Sequence, residues 1–147
     1  MAEKSIFDID QISVAHTKTE LNEIGQRLEK QVPIQKLTEY HDVHRDANRL
    51  IKAVEANFIP ELIPLRHQKM LADQFSFFRG TAELMQLDLA QQAHSNIPTL
   101  ICGDVHVENY GFYASPERRL LFDLNDFDEA RIGNWDSDLR RLLVSIY

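Results

Sequence analysis

Apolar positions recur at helical spacing through the first two thirds of the chain. Thr17-x-x-Glu20 has the form of a capping box and opens a helix that runs towards Val32, where Pro33 ends it. Val43, Ala47, Leu50, Ile51, Val54 and Phe58 fall on one helical stripe, and Pro60 and Pro64 punctuate the next turn. Phe78, Ala82, Met85 and Leu89 form another stripe, widened by Phe75, Phe77, Leu84 and Leu87. A helix apolar over so much of its circumference is expected to be buried on more than one side.

After residue 93 the period changes. Pro98 to Cys102 is a short apolar run and predicts a strand. Asn109 to Ala114 and Leu120 to Leu124 are strand-like, and Ser115-Pro116-Glu117-Arg118 between them is turn chemistry, so the pair predicts a β-hairpin. Asn134 to Asp138 is polar. Asp138-Leu139 then opens a last helix whose apolar face is Leu139, Leu142, Leu143 and Ile146. The chain stops at Tyr147 inside that pattern, which predicts further protein; the stripe is expected to be buried against the upstream helices, with self-association as the supplement. The class expected is α+β: a mainly helical N-terminal half and a small β-hairpin segment, in one domain over residues 1–147. Residues 1–59 are its helical part and residues 60–147 the part that carries chemistry.

Composition narrows the partners. The 147 residues carry a net charge of −7, which argues against a basic nucleic-acid-binding face and suits carboxylates that hold cations. Cys102 is the single cysteine, so no intramolecular disulfide forms and a reducing, cytoplasmic setting is expected. Met1 to Asp10 lacks a leader-like apolar run, and no apolar run approaches the length of a membrane span.

Seven acids lie between Gly103 and Glu129, with His106, Asn109 and Asn125 among them. Asp104, His106 and Asn109 follow the strand after a tight Gly103, and Asp123, Asp126 and Asp128 sit where the hairpin's second strand ends. A strand, loop and hairpin can fold these groups against each other, giving carboxylate and amide oxygens that suit Mg²⁺. Several other residues have plain structural readings. Cys102 reads as packing on a buried strand, His41 and His44 as solvated histidines, the Phe75/Phe77/Phe78 cluster as core, and Asp123 as the partner of an arginine such as Arg140. Arg79, just before Gly80, is open between two roles, a phosphate ligand and a surface ion pair.

Cys102-Gly103-Asp104-Val105-His106-Val107-Glu108-Asn109 resembles the His-Gly-Asp-x-His-x-x-Asn loop of aminoglycoside and choline phosphotransferases, which have a protein-kinase-like fold. A closer resemblance is to a bacterial family, domain of unknown function 2252. It is carried by Phe75-Ser-Phe-Phe-Arg-Gly80, by the Cys102–Asn109 loop, and by Phe122-Asp-Leu-Asn-Asp-Phe-Asp-Glu129. The kinase-like resemblance implies part of a permuted large lobe that transfers phosphate from ATP to a small-molecule hydroxyl. It implies Asp104 as the catalytic base, with His106 buttressing the loop. Asn109 and Asp126 would hold Mg²⁺, and Asp138 would stand twelve residues after Asp126 at the head of a helix. Asp128 is a candidate further carboxylate for the metal, and Arg79 a candidate nucleotide contact.

The chain departs from that pattern in three ways. Cys102 replaces the usual leading His. No two of the five glycines are close enough to form a phosphate cradle, and all six lysines precede residue 70. In the resembling family, a glycine-rich segment and a lysine strand follow the catalytic segment. ATP is therefore expected to bind only in a more complete architecture. A non-catalytic oligomeric module and a metal-dependent hydrolase are the alternatives, and the acceptor is not identified.

Overall fold

A computed structural model describes residues 16–147. The stretch Met1 to Asp10, expected to lack a leader, lies outside the described residues. The architecture is α+β: seven helices and two small antiparallel sheets among the described residues.

Helix α1, Lys18–Gln31, opens on the expected capping box: Thr17 Oγ1 accepts from Glu20 N, and the Glu20 carboxylate accepts from Thr17 N at 2.7 Å. It buries no residue, so packing contributes little to it and its capping box matters correspondingly more. A single turn, α2 (Ile34–Leu37), follows Pro33. The next helix, α3 (Ala47–Glu55), starts at the N-cap Asp46, whose side chain accepts from Arg49 N at 3.0 Å. Val43 is therefore not on its stripe. The stretch before the cap is extended and tied to the body by Gln92, which bonds both the N–H and the C=O of His41 at 2.9 and 2.8 Å.

A 3₁₀ turn at Pro60–Leu62 leads into α4, Ile63–Met70. The Phe75–Leu89 stripe, expected to be one helix, is two: α5 (Gln74–Gly80) and α6 (Ala82–Leu89). The break has a packing cause. Gly80 lies so close to α4 that a Cβ there would meet Met70 Cγ at 2.5 Å, and Thr81 turns its hydroxyl back onto the carbonyls of Phe77 and Phe78.

Strand β1, Pro98–Ile101, forms as expected. Its partner is one that periodicity does not reveal: β4, Arg131–Asn134, antiparallel with Ile101 opposite Arg131 and Pro98 opposite Asn134. The hairpin also forms. Strand β2 (Tyr110–Ala114) pairs with β3 (Leu120–Leu124) with Tyr110 opposite Leu124, and a 3₁₀ turn at Val107–Asn109 precedes it.

The last helix, α7, spans Trp135–Ile146 and begins one turn before Asp138. It faces inward with its polar side. Asp136, Ser137 and Arg141 are buried, while Leu139, Leu143, Val144 and Ile146 are exposed. The apolar stripe expected to be buried is thus on the outside, because the inward positions are taken by groups that bond the segment before and after β1. The buried residues match this arrangement. Met70, Ala82, Leu84, Leu89, Ile101, Cys102 and Val105 make a small apolar core, and an equally extensive set of buried polar groups lies beside it.

Candidate active site

Gly103 leaves β1 with φ +89°, a left-handed conformation that side chains rarely adopt. A Cβ there would also come within 2.4 Å of the Glu129 carbonyl oxygen. The glycine thus lets the start of the loop and the segment after β3 touch.

The loop that follows is bonded on almost every side. Asp138 accepts from Cys102 N at 2.7 Å and Gly103 N at 3.0 Å. Gln86 of α6 donates to Gly103 O at 2.8 Å. Arg141 donates through Nε to Asp104 Oδ1 at 2.6 Å, with Nη2 2.5 Å from the same oxygen. Val107 N donates to Ser145 Oγ at 3.1 Å. Asp138, Arg141 and Ser145 lie three and four residues apart on α7, so one helix face holds the whole loop. On the adjoining face, Asp136 accepts from Ser95 N and Oγ, and Arg140 donates to Ala93 O at 2.7 Å, fixing the approach to β1. Arg140 therefore serves the segment before β1 and does not pair with Asp123, which is exposed and caps its own neighbour Leu124 N.

Arg141 is fully buried. Its guanidinium lies 4.1 Å over the Phe78 ring and donates to Phe78 O at 2.9 Å and towards Met85 Sδ. Burial disfavours its charge, and the Asp104 carboxylate opposes that. Asp104 keeps its second oxygen, Oδ2, which is 3.7 Å from His106 Nε2. His106 is 1% exposed and packs edge-on to Phe75 at 5.8 Å. Burial pushes its pKa below the ordinary histidine range, the Asp104 charge works against this, and Arg79 and Arg141 add to it. A neutral imidazole wedged behind the loop is the result.

Asn109 is buried, and its Nδ2 donates to Asp104 O at 2.7 Å. Asn125 N donates to Asn109 O at 2.9 Å, which puts Asp126 one residue further along. Cys102 Sγ donates to Asp126 O, and burial raises the Cys102 thiol, so it acts here as a small packed donor. The Asp126 carboxylate accepts from Asp128 N at 3.3 Å, and both aspartates are exposed.

Glu129 was not singled out by its place in the sequence, but its surroundings identify it. Burial raises its carboxyl pKa first, and the charges of Asp104, Asp126 and Asp128 raise it further. Four acids thus share one neighbourhood. Among the described residues no three His, Cys, Asp or Glu side chains are close enough to cage a metal by themselves. Mg²⁺ does not require such a cage, since it takes one or two carboxylates and fills its octahedron with water and phosphate. The Asn109 amide and the Asp126 carboxylate are oxygen donors of the kind that would suit that smaller demand, with Asp128 and Glu129 as further acids beside them. Arg79 stands at the mouth, paired to Glu108 at 2.7 Å, with both side chains about half exposed.

Over residues 58–147 the sequence matches a family described as "Uncharacterized protein conserved in bacteria (DUF2252)". The chain belongs to that family. Every residue of the candidate site, from Arg79 to Ser145, lies inside the DUF2252 match, and α1 to α3 precede it. No curated protein and no solved structure matches the chain. Among the described residues no helix is long and apolar enough to cross a membrane.

Proposed function

We propose that this segment is the acceptor-orienting and metal-binding part of a phosphotransferase that works on a small-molecule hydroxyl in its complete architecture. The observation that carries the reading is the braced loop. Asp104, with one oxygen tied to Arg141, has its backbone carbonyl bonded by the Asn109 side chain and shares with Asp126 the neighbourhood of Glu129. In the reaction, the substrate hydroxyl oxygen bonds to the γ-phosphorus of ATP as the bridging P–O bond breaks. ADP leaves with that electron pair, and the hydroxyl proton passes to Asp104 Oδ2. Mg²⁺ bound at Asn109 and Asp126 would supply charge neutralisation at the phosphates. His106 keeps Asp104 positioned from behind. A second reading, a module that acts only within a larger assembly, is favoured by the exposed apolar hairpin residues Phe112, Leu120 and Phe122.

The test is Mn²⁺ titration, followed by water-proton relaxation, on the chain and its Asp126→Asn variant. Weak Mn²⁺ binding that falls by about tenfold or more in the variant is expected, since that corresponds to one lost charge-assisted ligand. Equal affinity in the two proteins would remove the metal assignment.

A further inference from the structure

An open cleft of about 540 Å³ lies between α4 and α5, and Asp104 forms part of its wall. Its size suits a small ligand. Apart from Asp104 and the neutral Ser76, its polar side chains are basic: Arg66 and Lys69 from one face of α4, and Arg79 from α5. That is unexpected in a chain of net charge −7.

Three nearby acids are already engaged, while Glu129, which lines the adjoining pocket with Arg66 and Arg79, has no ion-pair partner among the described residues. Glu55 is 2.6 Å from His67 and 4.0 Å from Arg66, Glu108 is on Arg79, and Asp104 is on Arg141. Lys69 has no ion-pair partner among the described residues. Arg66 is pinned, with Nη2 on Gly80 O at 2.6 Å and the guanidinium 5.1 Å over the Phe58 ring. Its buried Nε has no hydrogen-bond partner. Arg79 is held only by an exposed ion pair, which costs little to exchange for another oxyanion. The cleft thus combines one fixed guanidinium, one exchangeable guanidinium and one free ammonium beside the proposed base. Planar and point cations together recognise phosphate-type oxyanions well.

We propose that this cleft binds the phosphate-type oxyanion of an acidic acceptor, so that the substrate is a small phosphorylated alcohol whose free hydroxyl lies towards Asp104. Lys69 and Arg79 hold the oxyanion and Arg66 supplies fixed positive field. The inference rests on Asp104 as the acceptor-facing group. Its test is nevertheless independent of the metal, because oxyanion binding is measured in EDTA, where loss of the Asn109/Asp126 site has no effect.

The full chain is titrated with inorganic phosphate, glycerol phosphate, glycerol and ATP, and binding is read by amide chemical shifts. Lys69→Ala and Arg79→Gln alter exposed side chains, so the fold is retained. Phosphate and glycerol phosphate are expected to shift the same α4 and α5 amides, and glycerol to shift none. Each variant should weaken phosphate by about tenfold, the worth of one charge-assisted contact. Glu108→Gln frees Arg79 and should tighten binding. Phosphate affinity that is undetectable, or the same in wild type and Lys69→Ala, would overturn the proposal. So would ATP displacing phosphate from the cleft while glycerol phosphate does not, since the oxyanion would then belong to the nucleotide.

Discussion

The Asp104–Arg141 pair offers the sharpest test of how the loop is held. Arg141 has no exposed surface, and its guanidinium satisfies Asp104 Oδ1 and Phe78 O while stacking on the Phe78 ring. Replacing it with methionine keeps much of the volume and removes the charge. Asp104, only 14% exposed in its side chain, then loses its cation and Phe78 O loses a donor. Breaking a buried pair by removing one partner costs about 3–5 kcal/mol, a large share of the roughly 5–15 kcal/mol by which domains are stable. Arg141→Met alone should therefore lower the urea midpoint severely. Asp104→Asn alone leaves a buried guanidinium half-satisfied and should cost a comparable amount. The double variant removes both charges, so its loss should be well below the sum of the single losses. A coupling of about 2 kcal/mol or more is expected for a desolvated, hydrogen-bonded pair. The assay is equilibrium urea unfolding by far-ultraviolet circular dichroism for all four proteins. A coupling under about 0.5 kcal/mol, the limit for independent sites, would show that Arg141 does not brace Asp104.

Two further predictions concern titration. Glu129 has a raised carboxyl pKa, so its contribution to stability is present below the unfolded value of 4.5 and is lost as pH rises through the folded value. Glu129→Gln should raise Tm at neutral pH in the metal-free chain, and the gain should shrink on acidification; a lower neutral-pH Tm would contradict the crowding of acids there. His106 has a lowered pKa, so its contribution is present above the ordinary value of 6.5 and is lost as pH falls through the folded value. The urea midpoint should decline as pH falls from 6.5 towards the folded value, less steeply in His106→Gln, and identical pH profiles would refute a buried neutral imidazole.

What could be read from the sequence follows from what local chemistry encodes. The Thr17/Glu20 box and the Tyr110–Leu124 hairpin are each specified by residues close together in the chain, and each forms. Strand β4 is only Arg131-Ile132-Gly133-Asn134, too short to show alternation. Its Gly133 matters through packing, since a Cβ there would meet Ile101 Cδ1 at 2.5 Å. The break at Gly80 likewise depends on Met70, ten residues away. Glu129 became a site residue through its burial and through the charge of Asp104, 25 residues away, added to those of its neighbours Asp126 and Asp128.

Helix α7 shows a different kind of failure. Its apolar stripe is regular, and the usual inference is that such a stripe faces the core. The inference fails because the same spacing also aligns Asp138, Arg141 and Ser145, which meet backbone N–H groups and a carboxylate that need partners. Leaving those loop groups buried and unpaired costs about 1–3 kcal/mol each, and more for the charged one. Burying one exposed leucine of the outward stripe returns roughly 1.5–3 kcal/mol. The outward stripe holds four such side chains, Leu139, Leu143, Val144 and Ile146, so the two sums are of similar size; the roughly 3–5 kcal/mol lost on breaking the buried Asp104–Arg141 pair tips the balance to the polar orientation. The apolar side that α7 turns outward is then the cost of holding Asp104 in place, and the exposed residues Leu143, Val144 and Ile146 are its visible sign.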